Sequence, residues 1–288
     1  MFYNILLSAR PKQWVKNLFV LAALFFSRHL FHQVYLLQAL GGMATFVLLS
    51  AGVYLVNDLF DLEADRRHPE KSKRPLASGA LSPASAGVAA FVLFAGGLAL
   101  AFRLSADFGW IAASYAAVNF AYSFRLKQVV LVDVLVVASG FLLRALGGAV
   151  VIDVFISTWF VLCSFTLTLL LTTVKRRQEL VRLQSAAAEH RAALAEYQLP
   201  FLDQVISILT SATIVCYALY AMGVGEEESR NMQWTIPLVF YGVLRYLYVV
   251  HRHGDGDDPT ALLFRDRALQ VTVLAWAALS LGLLYFRE

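Results

Sequence analysis

Residues 35–65 read YLLQALGGMATFVLLSAGVYLVNDLFDLEAD, an apolar run that passes into a cluster of acids with no Gly or Pro between Val53 and Asp65. The apolar part, 35–57, is long enough to cross a bilayer, because a helix needs about 20 apolar residues to span the hydrocarbon. The acids begin at Asp58 and continue the same helical pattern. We therefore predict a membrane-spanning helix whose end carries several carboxylates.

The rest of the chain repeats this apolar pattern. Of its 288 residues, 59% are hydrophobic and 15% are charged, whereas a soluble domain carries about 25% charged residues. Backbone groups in lipid must hydrogen-bond within their own segment, so the apolar blocks are expected to be helices. We predict an all-α polytopic membrane protein with about nine transmembrane helices, forming a single domain over residues 1–288. The blocks are 17–33, 35–57, 82–103, 107–124, 129–151, 154–174, 200–222, 233–250 and 268–286.

The charges between the blocks predict an orientation. Most Lys and Arg residues fall in alternate loops, and the largest loop on the other side contains Glu226, Glu227 and Glu228. The positive-inside rule puts the basic loops in the cytoplasm, with the N-terminus inside and the C-terminus outside a bacterial plasma membrane. The long polar stretches, roughly 58–81, 175–199 and 251–267, then share the cytoplasmic face. We expect 175–197 to extend the sixth span and to continue as an amphipathic surface segment.

The acids after the second span predict a metal site. On a helix Asp58, Asp61 and Asp65 lie at i, i+3 and i+7, and Asn57 precedes them on roughly the same face. Carboxylates stacked in this way repel one another unless a cation lies among them, and oxygen ligands suit Mg²⁺ that is also bound to phosphate. They also lie at the C-terminal end of the span, where the helix dipole disfavours negative charge. We therefore predict that these three aspartates are catalytic and bind Mg²⁺ together with Asn57.

Basic and buried polar residues complete the predicted site. Lys73 and Arg74 follow the acids and could hold a polyphosphate, although positive-inside residues would look the same. Asp133, Arg144 and Arg245 interrupt apolar spans, where ionisable groups face a polar cavity or pair with each other. The predicted substrate-binding residues are Lys16, Asn17, Asn57, Lys73, Arg74, Tyr122, Lys127, Asp133, Arg144, Lys175, Arg176, Glu179 and Arg245. For Lys16 and Asn17, an interfacial anchor beside Trp14 is the competing interpretation.

These residues resemble a known family. The pattern Asn57-Asp58-x-x-Asp61-x-x-x-Asp65, followed by Lys73-Arg74-Pro75, is similar to the first signature of the UbiA superfamily of intramembrane prenyltransferases. The Tyr122, Lys127 and Asp133 pattern is similar as well, and the resemblance covers nearly the whole chain. It implies a bundle of nine helices around a central cavity that opens laterally to lipid.

One difference from most members of that family indicates which branch the sequence resembles. Most members carry a second acidic motif after the sixth span, whereas this chain has Lys175-Arg176-Arg177-Gln178-Glu179 there. Together with 10–17, RPKQWVKN, this resembles the branch of decaprenyl-phosphate phosphoribosyltransferases. The branch implies Mg²⁺-dependent transfer of 5-phosphoribose from phosphoribosyl pyrophosphate (PRPP) to a polyprenyl phosphate, for cell-wall arabinan synthesis. Extra cations suit this chemistry, because its two substrates together carry more phosphate groups than a prenyl diphosphate.

Two other functions remain open at this point. A UbiA-type prenyltransferase, acting on an aromatic or other lipophilic acceptor, would explain the aspartates but not the cations after the sixth span. A transporter or channel would be expected to show spans broken near the middle, whereas here the polar residues cluster at one membrane face. Membrane lipids are expected partners and nucleic acid is not, because no basic stripe lies away from the membrane. Association into a homo-oligomer is left open.

Overall fold

The computed structural model describes residues 1–183, 194, 196–225, 232–253, 262 and 265–286, and within these residues it contains helices and no strand. This confirms the predicted all-α class. The α-helices are α1 (Phe2–Ser8), α2 (Ala22–Phe26), α3 (Gln33–Phe60), α4 (Leu62–Arg67), α5 (Pro83–Leu104), α6 (Ala106–Phe124), α7 (Val132–Val151), α8 (Thr158–Leu183), α9 (Leu199–Met222), α10 (Ile236–His253) and α11 (Arg267–Tyr285). Short 3₁₀ helices are Pro11–Leu21, Lys71–Lys73, Leu126–Gln128 and Gln233–Thr235.

Six of these helices are long and apolar enough to cross a membrane, namely α3, α5, α7, α8, α9 and α11. Helices α6 and α10, with 19 and 18 residues, match two more predicted blocks but fall outside this set. The first predicted block, 17–33, is not one helix, because a 3₁₀ helix ends at Leu21 and α2 ends at Phe26. Arg28 then takes a left-handed φ of 63°. The fold class is therefore confirmed, but the count of nine continuous spans is not.

The outward faces of the long helices are apolar. On α5, for example, Val88, Phe91 and Val92 are 65%, 73% and 60% exposed. Side chains of this kind would be buried in a soluble protein, whereas lipid solvates them at no cost. Together with the six apolar helices, these surfaces make the chain an integral membrane protein.

Polar residues at the turns set where several helices begin and end. Ser82 accepts a hydrogen bond from the backbone N–H of Ser85 at 3.1 Å, and Pro83 follows it at the first helical position of α5. Asp266 accepts from the N–H of Leu269 at 2.8 Å and caps α11. These caps satisfy N–H groups that have no partner inside the helix. Gly223 ends α9 in the left-handed conformation that favours glycine.

The described chain separates into two compact units. The first contains Met1–Lys127 and Gly140–Phe155. In it α3 packs against α5, α6 and the 3₁₀ helix Pro11–Leu21. The ring of Phe46 lies edge-on to Phe108 and Tyr115, with centroids 5.9 and 5.2 Å apart. This unit holds the acids that follow the second predicted span.

The second unit contains Gln128–Ser139 and the residues from Ile156 onward. Its helices pack as α8 against α9 and as α10 against both α9 and α11. Leu170, Val174 and Ile206 are buried in its core with Val250 and Leu269. Helix α8 continues to Leu183, so the predicted helical extension of the sixth span is confirmed that far. The predicted amphipathic continuation and the loop with Glu226–Glu228 lie largely or wholly outside the described residues.

Candidate functional site

The acidic motif spans the end of α3 and the start of α4. The backbone leaves helical geometry at Asp61, where φ is −94° and ψ is 6°. Helix-type hydrogen bonds nevertheless continue, from Asp61 N to the Asn57 carbonyl at 2.9 Å and from Asp65 N to the Asp61 carbonyl at 2.7 Å. The sequence predicted that all three aspartates would share one face. In the structure Asp58 and Asp65 are buried, whereas the Asp61 side chain is 39% exposed.

Arg74 joins the two buried aspartates. Its Nη1 donates to Asp65 at 2.5 Å and to Asp58 at 3.2 Å, while both aspartates are only 3% exposed. Arg10 makes a second ion pair with Asp58. Two buried carboxylates and two part-buried guanidinium groups therefore meet within the first unit. Burial of a charge is costly unless it is paired, so these contacts explain why the acids can lie there.

Asp61 and Asn57 take different positions beside this cluster. Lys127, in the 3₁₀ turn that follows α6, makes an ion pair with Asp61. The half-buried side-chain amide of Asn57 makes no hydrogen bond to any residue that the structure describes. An amide oxygen without a partner next to carboxylates is available to a ligand or a cation.

The donor set fits Mg²⁺ in its chemistry. Within the described part of the chain, no three His, Cys, Asp or Glu side chains are already arranged to hold a metal ion. Asp58 and Asp65 do converge on one positive centre, the Arg74 guanidinium. Mg²⁺ usually takes one or two protein carboxylates and fills its other positions with water and phosphate oxygens. Two carboxylates with an amide oxygen therefore suffice in number and type.

Arg10 is a site residue that the sequence did not single out. It takes a left-handed φ of 52°, and its guanidinium lies 4.9 Å from the ring centroid of Tyr54. A residue other than glycine is strained in this region, and such strain concentrates at functional sites. The Arg-Pro pair at 10–11 was the available signal. The partner of Arg10 on α3, Asp58, could not be predicted from the sequence.

A second buried network in the same unit involves Arg144 and Asn17. Arg144 is 6% exposed and donates from Nε to the Asn17 side-chain oxygen at 2.7 Å, and from Nη2 to the Tyr115 hydroxyl at 2.7 Å. Asn17 is 1% exposed and its amide donates to Ser50 at 3.3 Å. The structure thus brings two predicted site residues, Arg144 and Asn17, into direct contact.

The second unit contains another group of predicted residues. Asp133 is fully buried and accepts from Arg176 Nε at 2.7 Å and from the Tyr197 hydroxyl at 2.7 Å. Arg176 also donates to Glu179 at 2.5 Å. Burial, and next the hydrogen bond that it donates to Asp133, raise the pKa of Tyr197. Half-buried Lys175 makes no ion pair with a described residue.

Arg245, predicted to bind substrate, is paired within its own unit. It donates from Nη2 to Asp266 at 2.8 Å, which connects α10 to the cap of α11. The hydrogen bond from Arg245 holds the pKa of Asp266 below its usual value. This contact supports a role in packing the two helices. A contact of Arg245 with substrate stays a prediction.

The remaining predicted residues differ in exposure. The Lys73 side chain is 74% exposed and lies 3.4 Å from Glu70, away from the buried acids. Its neighbour Arg74 is the residue that reaches them. Tyr122 is half-buried in the last turn of α6, and Lys16 is half-buried in the 3₁₀ helix Pro11–Leu21. Of the two cations predicted after the acids, only Arg74 reaches Asp58 and Asp65.

Comparison with known proteins places these features in one family. The model of the UbiA prenyltransferase family matches residues 17–268. The chain is 32% identical to a decaprenyl-phosphate phosphoribosyltransferase of Mycolicibacterium smegmatis, over 98% of this chain and 93% of that protein. It is 34% identical to the protein of that name from Mycobacterium tuberculosis, over 96% of this chain and 92% of that one. A solved UbiA homologue from Archaeoglobus fulgidus, bound to GPP and Mg²⁺, has a TM-score of 0.74 at 17% identity, covering 98% of this chain and 99% of that chain. This last similarity shows a common fold.

Proposed function

Since the chain belongs to the UbiA prenyltransferase family, we propose that it is a membrane transferase that moves 5-phosphoribose from PRPP to a polyprenyl phosphate. The observation that carries this proposal is its similarity, along nearly the whole chain, to decaprenyl-phosphate phosphoribosyltransferases. The chain covers more than nine tenths of the length of both of those relatives. The reaction releases pyrophosphate, and its product serves cell-wall arabinan synthesis.

The acids at the α3–α4 junction are proposed to receive the pyrophosphate end of the donor. Asp58 and Asp65, with Asn57 beside them, would hold Mg²⁺, which supplies positive charge to the leaving group when it is bound. Arg10 and Arg74 would exchange their carboxylate contacts for phosphate oxygens, because a guanidinium binds both groups in a similar geometry. Lys127, paired with Asp61, is proposed to do the same.

The bond changes require little further chemistry from the chain. The bond from ribose C1 to the pyrophosphate oxygen breaks, and its electron pair leaves with pyrophosphate. An oxygen of the lipid phosphate forms the new bond to C1. A phosphate monoester is already ionised near pH 7, since its second pKa is about 6. The residues of the site therefore need to bind, orient and neutralise the phosphates, and a strong general base is not required.

The location and partners follow the predicted charge distribution. We propose that the protein lies in a bacterial plasma membrane with its N-terminus and the α3–α4 junction on the cytoplasmic side, where soluble PRPP is available. The lipid tail of the acceptor would remain among membrane lipids. Lys175 and Arg176, after the sixth span, stay predicted phosphate contacts, and within its own unit Arg176 pairs with Asp133 and Glu179.

The competing function is transfer of a prenyl group from a prenyl diphosphate to a lipophilic acceptor. It is supported by the shared fold with the Archaeoglobus fulgidus homologue, whose structure contains GPP and Mg²⁺. The acids at the end of α3 would suit either diphosphate donor. The two functions therefore differ in the group that is transferred and not in the cation that the site needs.

The test supplies both donors to purified protein in detergent. One reaction contains labelled PRPP and a polyprenyl phosphate, and a parallel reaction contains a labelled prenyl diphosphate and an aromatic acid. We expect label to enter the lipid phase from PRPP and to stop doing so with EDTA. Transfer in the second reaction alone would establish prenyl transfer and reject the proposal.

A pair of variants connects that activity to the acids. Asp58→Asn should lower PRPP transfer at least about hundredfold, because a metal-bound charge contributes several kcal/mol to the transition state. Glu63→Gln is the matched control, since the Glu63 side chain is 77% exposed and contacts only Arg66 among the acids and bases described. Folding is compared by thermal unfolding of both variants. Equal activity of the two would exclude Asp58 from the reaction.

A further inference from the structure

We propose that Arg144 is a positioning residue that acts through residues 10–21, called here the N-terminal segment, which consist of Arg10 and the 3₁₀ helix Pro11–Leu21. It binds Asn17 in this segment, and the segment in turn sets Arg10 against Asp58. Arg144 would therefore shape the donor site without touching the donor. The kinetic part of this proposal rests on the proposed function, whereas the structural part does not.

Arg144 makes hydrogen bonds that would hold the backbone around Asn17 in place. Its three nitrogens donate to the Asn17 side-chain oxygen, to the Gly140 carbonyl and to the Tyr115 hydroxyl, at 2.7, 2.9 and 2.7 Å. Its guanidinium also lies 4.7 Å from the ring centroid of Tyr115. None of these partners is charged. A hydrogen bond from a charged donor is stronger than one between neutral groups, so Arg144 holds Asn17 firmly.

Asn17 connects the segment to two helices at once. A guanidinium can only donate, so Arg144 on α7 fixes the amide oxygen of Asn17 towards itself. The amide nitrogen then donates to Ser50 on α3 at 3.3 Å. Because Asn17 is 1% exposed, water cannot readily replace either bond. The segment is thus attached to α3 and α7 at the same point.

Gly148 supplies a second attachment that involves no polar side chain. A Cβ atom at Gly148 would lie 2.0 Å from the carbonyl oxygen of Val20, so the backbone of α7 touches the backbone of the segment. Arg144 and Gly148 are one turn apart on α7, and Asn17 and Val20 are one turn apart on the segment. The contacts of Arg144 and Gly148 together hold the C-terminal half of the segment against α7.

The other end of the segment meets the acids. From Arg10 to Asn17 the chain advances about 14 Å at the 3₁₀ rise. From Asp58 back to Ser50 along α3 it advances about 12 Å at the α-helical rise. The matching lengths let the segment run antiparallel along α3, with Asn17 at Ser50 and Arg10 at Asp58. Within the segment Gln13 N donates to the Arg10 carbonyl at 2.8 Å, and Trp14 Nε1 donates to the Ala9 carbonyl at 3.0 Å. Loss of the hydrogen bonds of Asn17 should therefore also loosen the contact between Arg10 and Asp58.

The first test measures whether the N-terminal segment detaches from α3 and α7. Trypsin cuts after Lys12 and Lys16 only when this part of the chain can open, and it does not cut the Arg10–Pro11 bond. Purified Asn17→Leu should be cleaved at these lysines at least about tenfold faster than the unmodified protein, in line with the loss of a charge-assisted hydrogen bond. Asn17→Asp should stay protected, because its carboxylate still accepts from Arg144. Leu18→Ala is the matched control, since Leu18 is half exposed on the same segment.

The second test measures the donor site. Asn17→Leu should raise KM for PRPP about tenfold while kcat changes less than about threefold, as expected for lost binding geometry. Gly148→Ala should reproduce both effects without altering a polar group, and it decides the matter if Asn17→Leu does not fold. Normal cleavage together with a raised KM would overturn the proposal, because Asn17 would then contact the donor directly. Normal cleavage with a normal KM would overturn it as well. If the unmodified protein does not use PRPP, the proteolysis result still decides whether Arg144 positions the segment.

Discussion

At the scale of single residues, the balance of charge around Asp58 and Asp65 governs the site. Both carboxylates are 3% exposed, and each would destabilise the fold by several kcal/mol without a partner. Arg74 contacts both of them, and Arg10 contacts Asp58. The same guanidinium groups are suited to bind phosphate when the donor arrives. We therefore propose that they both stabilise the fold and bind the donor.

A comparison of adjacent cations tests this dual role. Arg74→Gln should lower the free energy of unfolding by about 3 kcal/mol, because it leaves a buried carboxylate without its guanidinium. Lys73→Gln should change it by less than about 0.5 kcal/mol, because the Lys73 side chain is 74% exposed. The measurements are unfolding in detergent and the rate of PRPP transfer. Similar losses in both variants would show that Arg74 has no special contact.

At the scale of helices, Asp133 and Arg176 hold α7 and α8 together inside the second unit. Asp133 lies at the start of α7 and receives hydrogen bonds from Arg176 on α8 and from Tyr197 before α9. Tyr197 also accepts from the backbone N–H of Leu131, which has a left-handed φ of 65°. Three elements of the chain thus converge on one carboxylate. The sequence assigned Asp133 and Arg176 to substrate binding, and that assignment stays a prediction.

A double-mutant cycle distinguishes helix packing from phosphate binding by Arg176. Arg176→Met should destabilise the fold by about 3–5 kcal/mol, because Asp133 would remain buried without its ion pair. Adding Asp133→Leu should recover about 1–3 kcal/mol, since the two losses share one interaction. Arg177→Met is the control, because its partner Asp203 has a 46% exposed side chain. An unchanged unfolding energy with a raised KM for PRPP would instead assign Arg176 to phosphate.

At the scale of the whole molecule, membrane topology decides which solution the acids face. Glu70 precedes α5 and Asp107 follows it, and both are exposed. Because α5 is long and apolar enough to span the bilayer, the two residues should lie on opposite sides. The positive-inside rule puts Glu70 in the cytoplasm.

Cysteine labelling measures this arrangement. Cys163 and Cys216 are first replaced by alanine, and either Glu70→Cys or Asp107→Cys is then introduced. An impermeant maleimide should label the first variant in inverted vesicles and the second in right-side-out vesicles. Because the two positions flank one helix, each serves as the control for the other. The reverse pattern would put the proposed PRPP site outside the cell and would reject the predicted orientation.

The sequence by itself determined the class of the fold and the location of its main carboxylates. Apolar length is a local property, so it identified the membrane-spanning helices and the all-α class without knowledge of their packing. The spacing of Asp58 and Asp65 is equally local, and in the structure both side chains contact Arg74. The first block, 17–33, contains Arg28, His29 and His32, and it is a predicted block that does not form one helix.

Only the tertiary structure decided which charges meet. Arg10 and Asp58 are 48 residues apart, Lys127 and Asp61 are 66 apart, and Arg144 and Asn17 are 127 apart. No periodicity in the sequence encodes such distances, because they depend on how helices approach after folding. The break at Asp61 likewise depends on the backbone geometry of the junction. For this reason the sequence indicated a set of charged candidates, and the packing separated those already paired from those available to a ligand.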